Sequence, residues 1–319
     1  MAVVADAVVA ADGSGNFTTI GAPVDAAPRN STTRHVIHIN AGIYKEYVVI
    51  GKDISNLMLI GDGMDRTVIS GNRSHGGGAK TDDSATVSVD GPGFVAQHLT
   101  IENTAGPSNL QAVALRSTSH RSALYCCALT GYQDTLYAQK NTQFYRECRI
   151  SGTVDFIFGD AAAVFQKCTI VARKPIKDQE ITITAHGRDN AVEATGFVFQ
   201  FCTVVADDEL ARADFQVKTY LGRPWRVYAR VVFMECDLQG LVDPKGWLQW
   251  QDRTDVDDMY YREYRNSGTS ADVSGRVKWR GFHVIQDACE AANFTVHNFI
   301  QGDQWLPATG VHFTPGLDQ

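Results

Sequence analysis

Cys127-Ala-Leu-Thr-Gly131-Tyr-Gln-Asp134-Thr-Leu136-Tyr137 is followed, 21 residues on, by Cys148-Arg-Ile-Ser-Gly152-Thr-Val-Asp155-Phe-Ile157-Phe158. Both stretches obey one pattern: Cys, a variable residue, an aliphatic, then Gly, Asp and an aliphatic–aromatic pair. A repeat of this length is the signature of a solenoid, in which equivalent positions of successive coils lie against each other. Asp134 and Asp155 are therefore expected to be neighbours in space.

The Cys half of the pattern recurs more widely. LYCCAL, FYRECRI, VFQKCTI, FQFCTV and FMECDL place Cys127, Cys148, Cys168, Cys202 and Cys236 at one register, and His98 is expected in the same slot upstream. Each unit is short, β-branched and aromatic, and is bounded by Gly, Asn or Asp, which reads as strand. No helical pattern separates the units, which argues against a βαβ sheet. The expected fold is all-β, a right-handed parallel β-helix. Strands are also expected at 34–40 and 56–61, with a short N-terminal helical cap at 18–27. The part from about Asp252 is less repetitive and is expected to pack along the outside of the solenoid or cap its end.

The 319 residues read as one domain, 1–319, with residues 1–7 as a non-native or disordered start and no pro-region. No apolar run reaches membrane-spanning length, so a membrane is not expected as partner. Lys plus Arg is 29 against 36 Asp plus Glu, a net charge of −7, which argues against nucleic acid. It does not exclude an anionic polymer whose charges are masked by esterification. Of seven cysteines, the pairs Cys127–Cys148 and Cys168–Cys202 are each about one coil apart, and a ladder of buried thiols fits the spacing as well. Glycosylation sequons stand at Asn16, Asn30, Asn72 and Asn293.

Several familiar strings carry no chemistry here. His75-Gly-Gly-Gly78 lacks any accompanying GxSxG elbow and reads as a flexible surface loop. His35 and His38, three apart on a strand, point to opposite faces and share no metal. Neither a CxxC, an HExxH nor a Walker string occurs.

The two Asp residues differ from these. One Asp at a strand end is ordinary turn chemistry, but two at identical repeat positions, each followed by an aromatic, read as a site. Gln111-Ala-Val-Ala is expected to line up with Asp134-Thr-Leu-Tyr, putting Gln111, Asp134 and Asp155 in one row with Gln133 beside it. Leu221-Gly-Arg223-Pro-Trp225 supplies a cation and a flat aromatic face.

These segments, GYQDTLY (131–137), GTVDFIFGD (152–160), QAVALR (111–116) and LGRPW (221–225), closely resemble the signature segments of plant pectin methylesterases. The resemblance runs over almost the whole chain. It implies a parallel β-helix, Asp155 as nucleophile, Asp134 as general acid/base, and Gln111 and Gln133 as oxyanion stabilisers. Thr86, Gln111, Tyr137, Phe158, Arg223 and Trp225 would contact substrate. It further implies methyl-esterified homogalacturonan (pectin) as substrate, no metal or other cofactor, and a secreted, cell-wall location. In plant members a proteinaceous pectin methylesterase inhibitor binds across the cleft, which leaves such a partner open here; a monomer is expected. The chain departs from the usual pattern at Cys126, Asp160 and His186. Polygalacturonases and pectate lyases use the same architecture and remain alternatives, as does a non-catalytic polysaccharide-binding β-helix. The acidic balance favours release of an anionic product, hence scattered rather than blockwise action.

Overall fold

The computed structural model describes residues 4–251 and 253–318. Among them the strands form three sheets, of eleven, eight and seven strands, in which every pairing is parallel. One coil illustrates the rest. Ser122–Tyr125 lies in the eleven-stranded sheet, Ala128–Thr130 in the eight-stranded and Leu136–Ala138 in the seven-stranded; Thr142–Arg146 then re-enters the first. The chain is a parallel β-helix.

The corners explain the repeat. A single residue with positive φ joins the first strand of a coil to the second: Cys126 (49°), Glu147 (53°) and Lys167 (54°) in successive coils. The next corner uses Asp134 (63°) and Asp155 (50°). Because each corner takes a set number of residues, equivalent side chains stack in register. Leu136 pairs with Ile157, so Asp134 and Asp155 occupy equivalent places.

Inside, the stacking is visible as columns. Tyr145, Phe165, Phe199 and Phe233 stack with successive centroid separations of 4.7, 4.6 and 4.3 Å, close to the ~4.8 Å between neighbouring strands. A parallel solenoid buries identical positions against each other, so a flat ring is best covered by another ring. The cysteines form a second column, because the residues that follow them pair in register. All seven are free thiols, which corrects the two offered disulfides. Side chains in register on parallel strands stand a strand spacing apart, whereas a disulfide draws its Cβ atoms to about 3.8 Å. The buried thiols donate instead to carbonyls of the preceding coil, Cys148 to Leu124 at 3.5 Å and Cys202 to Phe165 at 3.2 Å. Burial pushes these thiols well up.

Three expectations change in detail. Ala128 pairs with Thr100, so Leu99 fills the cysteine slot and His98 stands at the preceding corner. The N-terminal helix is confined to Gly21–Ala26, with Pro23 and Val24 buried. Of the start placed outside the fold, residues 1–3 lie outside the described residues, whereas Ala7 opens a strand paired with Ile37.

The C-terminal part is more integrated than expected. Asp252 itself lies outside the described residues, but Tyr260–Tyr264 and Phe282–Val284 extend the eleven-stranded sheet. Beyond them, Phe294, Val296, Ile300, Trp305 and Leu306 cover that sheet's outer face, against Phe144, Val164, Val198 and Val232.

Candidate active site

The outer face of the seven-stranded sheet is apolar where the doubled segment crosses it. Val113, Tyr137, Phe158 and Ala185 form its floor, with Trp225 and Trp250 packed against them. Tyr137 and Phe158 stack at 4.2 Å, and Trp225 meets Phe158 edge-on at 6.0 Å. Above this floor is a cleft of about 390 Å³, lined also by Gln111, Gln133, Asp134, Asp155 and Arg223.

Asp155 is 5% exposed and accepts three side-chain hydrogen bonds. Arg223 Nε donates to Oδ1 at 2.8 Å and Nη2 to Oδ2 at 2.7 Å. Thr182 Oγ1 donates to Oδ1 at 2.6 Å while accepting from the Asp155 backbone N–H. A two-pronged guanidinium–carboxylate contact is the strong form of this interaction, and it leaves Asp155 purely an acceptor. The backbone delivers Arg223 to that position. Its N–H donates to Thr184 O at 2.9 Å, directly after the strand Thr219–Gly222. Gly222 permits the approach, since a Cβ there would stand 1.9 Å from Thr184 Oγ1. The Arg223 guanidinium lies 4.4 Å above the Trp250 ring. Burial alone would pull the guanidinium down, but the hydrogen bonds and charge of Asp155, with Asp134 adding, hold it above its ordinary value.

Asp134 has the same backbone position and the opposite environment. It is 8% exposed, and no hydrogen bond reaches its side chain among the described residues. Burial first, and the charge of Asp155 second, push its carboxyl well up, with Arg223 pulling weakly the other way. The two carboxyls are thereby split: one clamped to a cation, one disposed to keep its proton.

The amides stand beside them. Gln133 immediately precedes Asp134. Gln111 enters the cleft differently from expectation: Leu115 pairs with Leu136, so Val113 rather than Gln111 stands opposite Asp134, and Gln111 reaches the cleft from the segment before that strand. The His75–Gly78 loop braces it there, with His75 N–H donating to Gln111 O at 2.8 Å and Gly76 N–H to Asn109 O at 3.0 Å. Gln111 Oε1 is buried without a partner.

Thr86 is not in the cleft. It is fully buried and its hydroxyl donates to Glu102 O at 2.8 Å, because it begins the inward turn into the strand Val87–Val89. Thr182 and Trp250 were missed in the sequence. Among the described residues no three His, Cys, Asp or Glu side chains converge as a metal-binding set.

The unusual residues Asp160 and His186 meet each other, His186 Nε2 lying 3.9 Å from Asp160 Oδ1. His186 is fully buried and burial pushes it down to about 3. As a neutral ring its Nδ1 accepts from Arg230 N–H at 3.1 Å. Next to it, Gly187 seats the Trp225 indole; a Cβ there would be 2.7 Å from Trp225 Cε3. Gly187→Ala is expected to lift Trp225 off Phe158, with a stability loss of about 1–3 kcal/mol from overpacking. Tryptophan emission shifted to the red, together with a lowered Tm, is the measurement that checks it.

The sequence profile of the Pectinesterase family matches residues 6–303. A probable pectinesterase/pectinesterase inhibitor of Arabidopsis thaliana is 53% identical over 98% of this chain, and the Citrus sinensis pectinesterase 2 is 50% identical over 98%. The chain spans 60% and 61% of the length of these two relatives. Among solved structures, pectin methylesterase from carrot superposes with a TM-score of 0.98 at 45% identity, covering 99% of both chains. The Aspergillus niger pectin methylesterase superposes at 0.80 with 31% identity, covering 96% of this chain and 97% of that one.

Proposed function

The chain belongs to the pectinesterase family, and from that membership we propose that it hydrolyses the methyl esters of galacturonate units in pectin, releasing methanol and leaving pectate. The observation that carries this reading is the contrast between the two carboxyls, Asp155 forked by Arg223 and Asp134 buried without a partner, above an aromatic floor.

In the proposed mechanism an Asp155 oxygen attacks the ester carbonyl carbon, forming a C–O bond while the carbonyl π electrons move onto oxygen. Gln111 and Gln133 donate amide N–H groups to that oxyanion. The intermediate collapses, the bond to methoxide breaks, and Asp134 gives its proton to the departing oxygen as methanol leaves. Asp134, now a carboxylate, takes a proton from water, whose oxygen attacks the acyl-enzyme carbonyl. Collapse returns Asp155 as carboxylate and Asp134 as acid. Tyr137, Phe158 and Trp225 offer flat faces to sugar rings, and Arg223 orients the nucleophile.

Incubation with methylated pectin tests this: methanol should appear with no change in chain length and no unsaturated ends. Chain shortening would indicate a glycosidase, unsaturated ends a lyase, and binding without products a non-catalytic role. We place the protein outside the cell, in the cell wall, working as a monomer. The four sequon asparagines are all exposed, as glycan addition requires. A proteinaceous inhibitor seated across the same cleft is the partner this reading suggests.

Asp134→Asn separates function from stability. Below the ordinary carboxyl value of 3.8, folded and unfolded chains both hold the Asp134 proton. As pH rises above it, the unfolded chain loses the proton while the folded chain retains it, so stability declines until the raised folded value is passed. Asn cannot titrate and escapes this loss. The variant is expected to release methanol on the order of 10³-fold more slowly, yet to melt higher than the parent at pH 7, with the gap closing towards pH 3.8. Thermal melts across that range, paired with methanol assays, check both halves.

A further inference from the structure

The charges that line the cleft do not cancel. Arg223 and Asp155 neutralise each other at 2.7 Å. Asp134, buried and beside Asp155, keeps its proton. One charged side chain is left over, Asp82, which lines the cleft together with Gln111 and Tyr137. It opens the short 3-10 turn Asp82–Ser84 and is exposed, with no ion pair among the described residues. Its position is held by the turn: Asp83 N–H donates to Lys80 O at 3.0 Å and Ser84 Oγ to Thr81 O at 2.7 Å. Its field reaches the floor of the cleft, where it is one of the charges acting on Tyr137. Of the nearby cations, Arg116 is paired with Asp90 at 3.2 Å. Lys80 is exposed on the far side of Thr81, bordering a neighbouring depression with His75 and Gly78. Asp83 adds a second exposed negative charge on the same turn.

Resting on the reading of this cleft as a pectin methylesterase site, we infer that Asp82 is a specificity-determining residue: it sets a fixed negative charge on the rim that disfavours a free galacturonate carboxylate and favours a neutral, methyl-esterified sugar in the adjoining position. The aromatic floor binds either sugar ring; the charge on the rim tells the two apart. The same charge opposes retention of the newly made carboxylate, so the chain is released after few cleavages and the acid groups are scattered along the polymer. Like charges about 4–8 Å apart in a solvated cleft repel by an amount that changes affinity severalfold, and salt screens it.

The test uses polygalacturonate, the fully de-esterified polymer, as an inhibitor of methanol release from highly methylated pectin. Asp82→Asn is expected to bind polygalacturonate about fivefold more tightly at low salt, with the difference between variant and parent shrinking at 0.5 M NaCl. Asp82→Glu, which keeps the charge, should behave as the parent does. Product mapping should show longer contiguous acid blocks for Asp82→Asn. Equal inhibition of Asp82→Asn and parent overturns the inference, as does tighter inhibition shared by Asp82→Glu, which would trace the effect to side-chain shape. Both outcomes are read only against a parent that releases methanol. A parent that releases none overturns the proposed function itself.

Discussion

Asp155→Asn is expected to reduce methanol release by at least about 10⁴-fold, the scale seen when the nucleophile of a covalent mechanism is removed. The substitution is nearly isosteric and keeps the Thr182 contact available, so what it removes is the negative charge and the attacking oxygen. It also strips Arg223 of its counter-charge. That guanidinium side chain is only 21% exposed, and breaking a buried pair by removing one partner costs about 3–5 kcal/mol. Discounted for the remaining exposure, a stability loss of about 2 kcal/mol is expected. Single-turnover methanol release and thermal melts measure the two effects. Activity within tenfold of the parent would remove Asp155 from the nucleophile's place.

Arg223→Leu should be nearly as damaging by a different route. The Asp155 side chain is 7% exposed and would face its buried surroundings without a cation. With no guanidinium forked onto its two oxygens, the attacking oxygen is no longer held in place. Methanol release at neutral pH is expected to fall about 10²–10³-fold, the range for losing one preorganised electrostatic partner. Arg223→Lys should fall between the two, because lysine restores the charge but not the two-pronged geometry at 2.8 and 2.7 Å. Methanol release by Arg223→Leu within about threefold of the parent's would show that Arg223 does not act through Asp155.

The sequence revealed the solenoid because the structure imposes an equal number of residues between stacked positions wherever loops are short. The 21-residue offset between Asp134 and Asp155 survives intact in the pairing of Leu136 with Ile157. The same logic carried the cysteine column across five coils. It failed where no strand anchors the alignment. Gln111 precedes its strand, where no pairing fixes its row, so it stands two positions away from the place opposite Asp134, although the loop still brings it to the cleft. Thr86 has only the family resemblance behind it, and nothing in Ser-Ala-Thr-Val says which side chain faces inward. Thr182 was recoverable: extending the register through Ile157 and Thr184 sets Thr182 against Asp155, but a longer loop hides the match. Trp250 lies outside the repeated strands and sends no periodic signal. The exposed charge of Asp82 was invisible because only the folded cleft shows which neighbouring charges are already spent.

The positive φ angles of Asp134 and Asp155 bear on how such a site changes over generations. At 63° and 50° the backbone is easiest for glycine, asparagine and aspartate. Corners of the same helix also hold Glu147 and Lys167 at 53° and 54°, so the turn alone does not bar a longer side chain; at Asp134 and Asp155 burial adds the second constraint, because the two residues are 8% and 5% exposed. Substitutions that fit both the turn and the space are asparagine and glycine, both silent as nucleophile or acid. A lineage that loses either carboxylate is thus expected to keep its β-helix and its sugar-binding floor, becoming an inert binder of the same polymer rather than an esterase with a substitute acid.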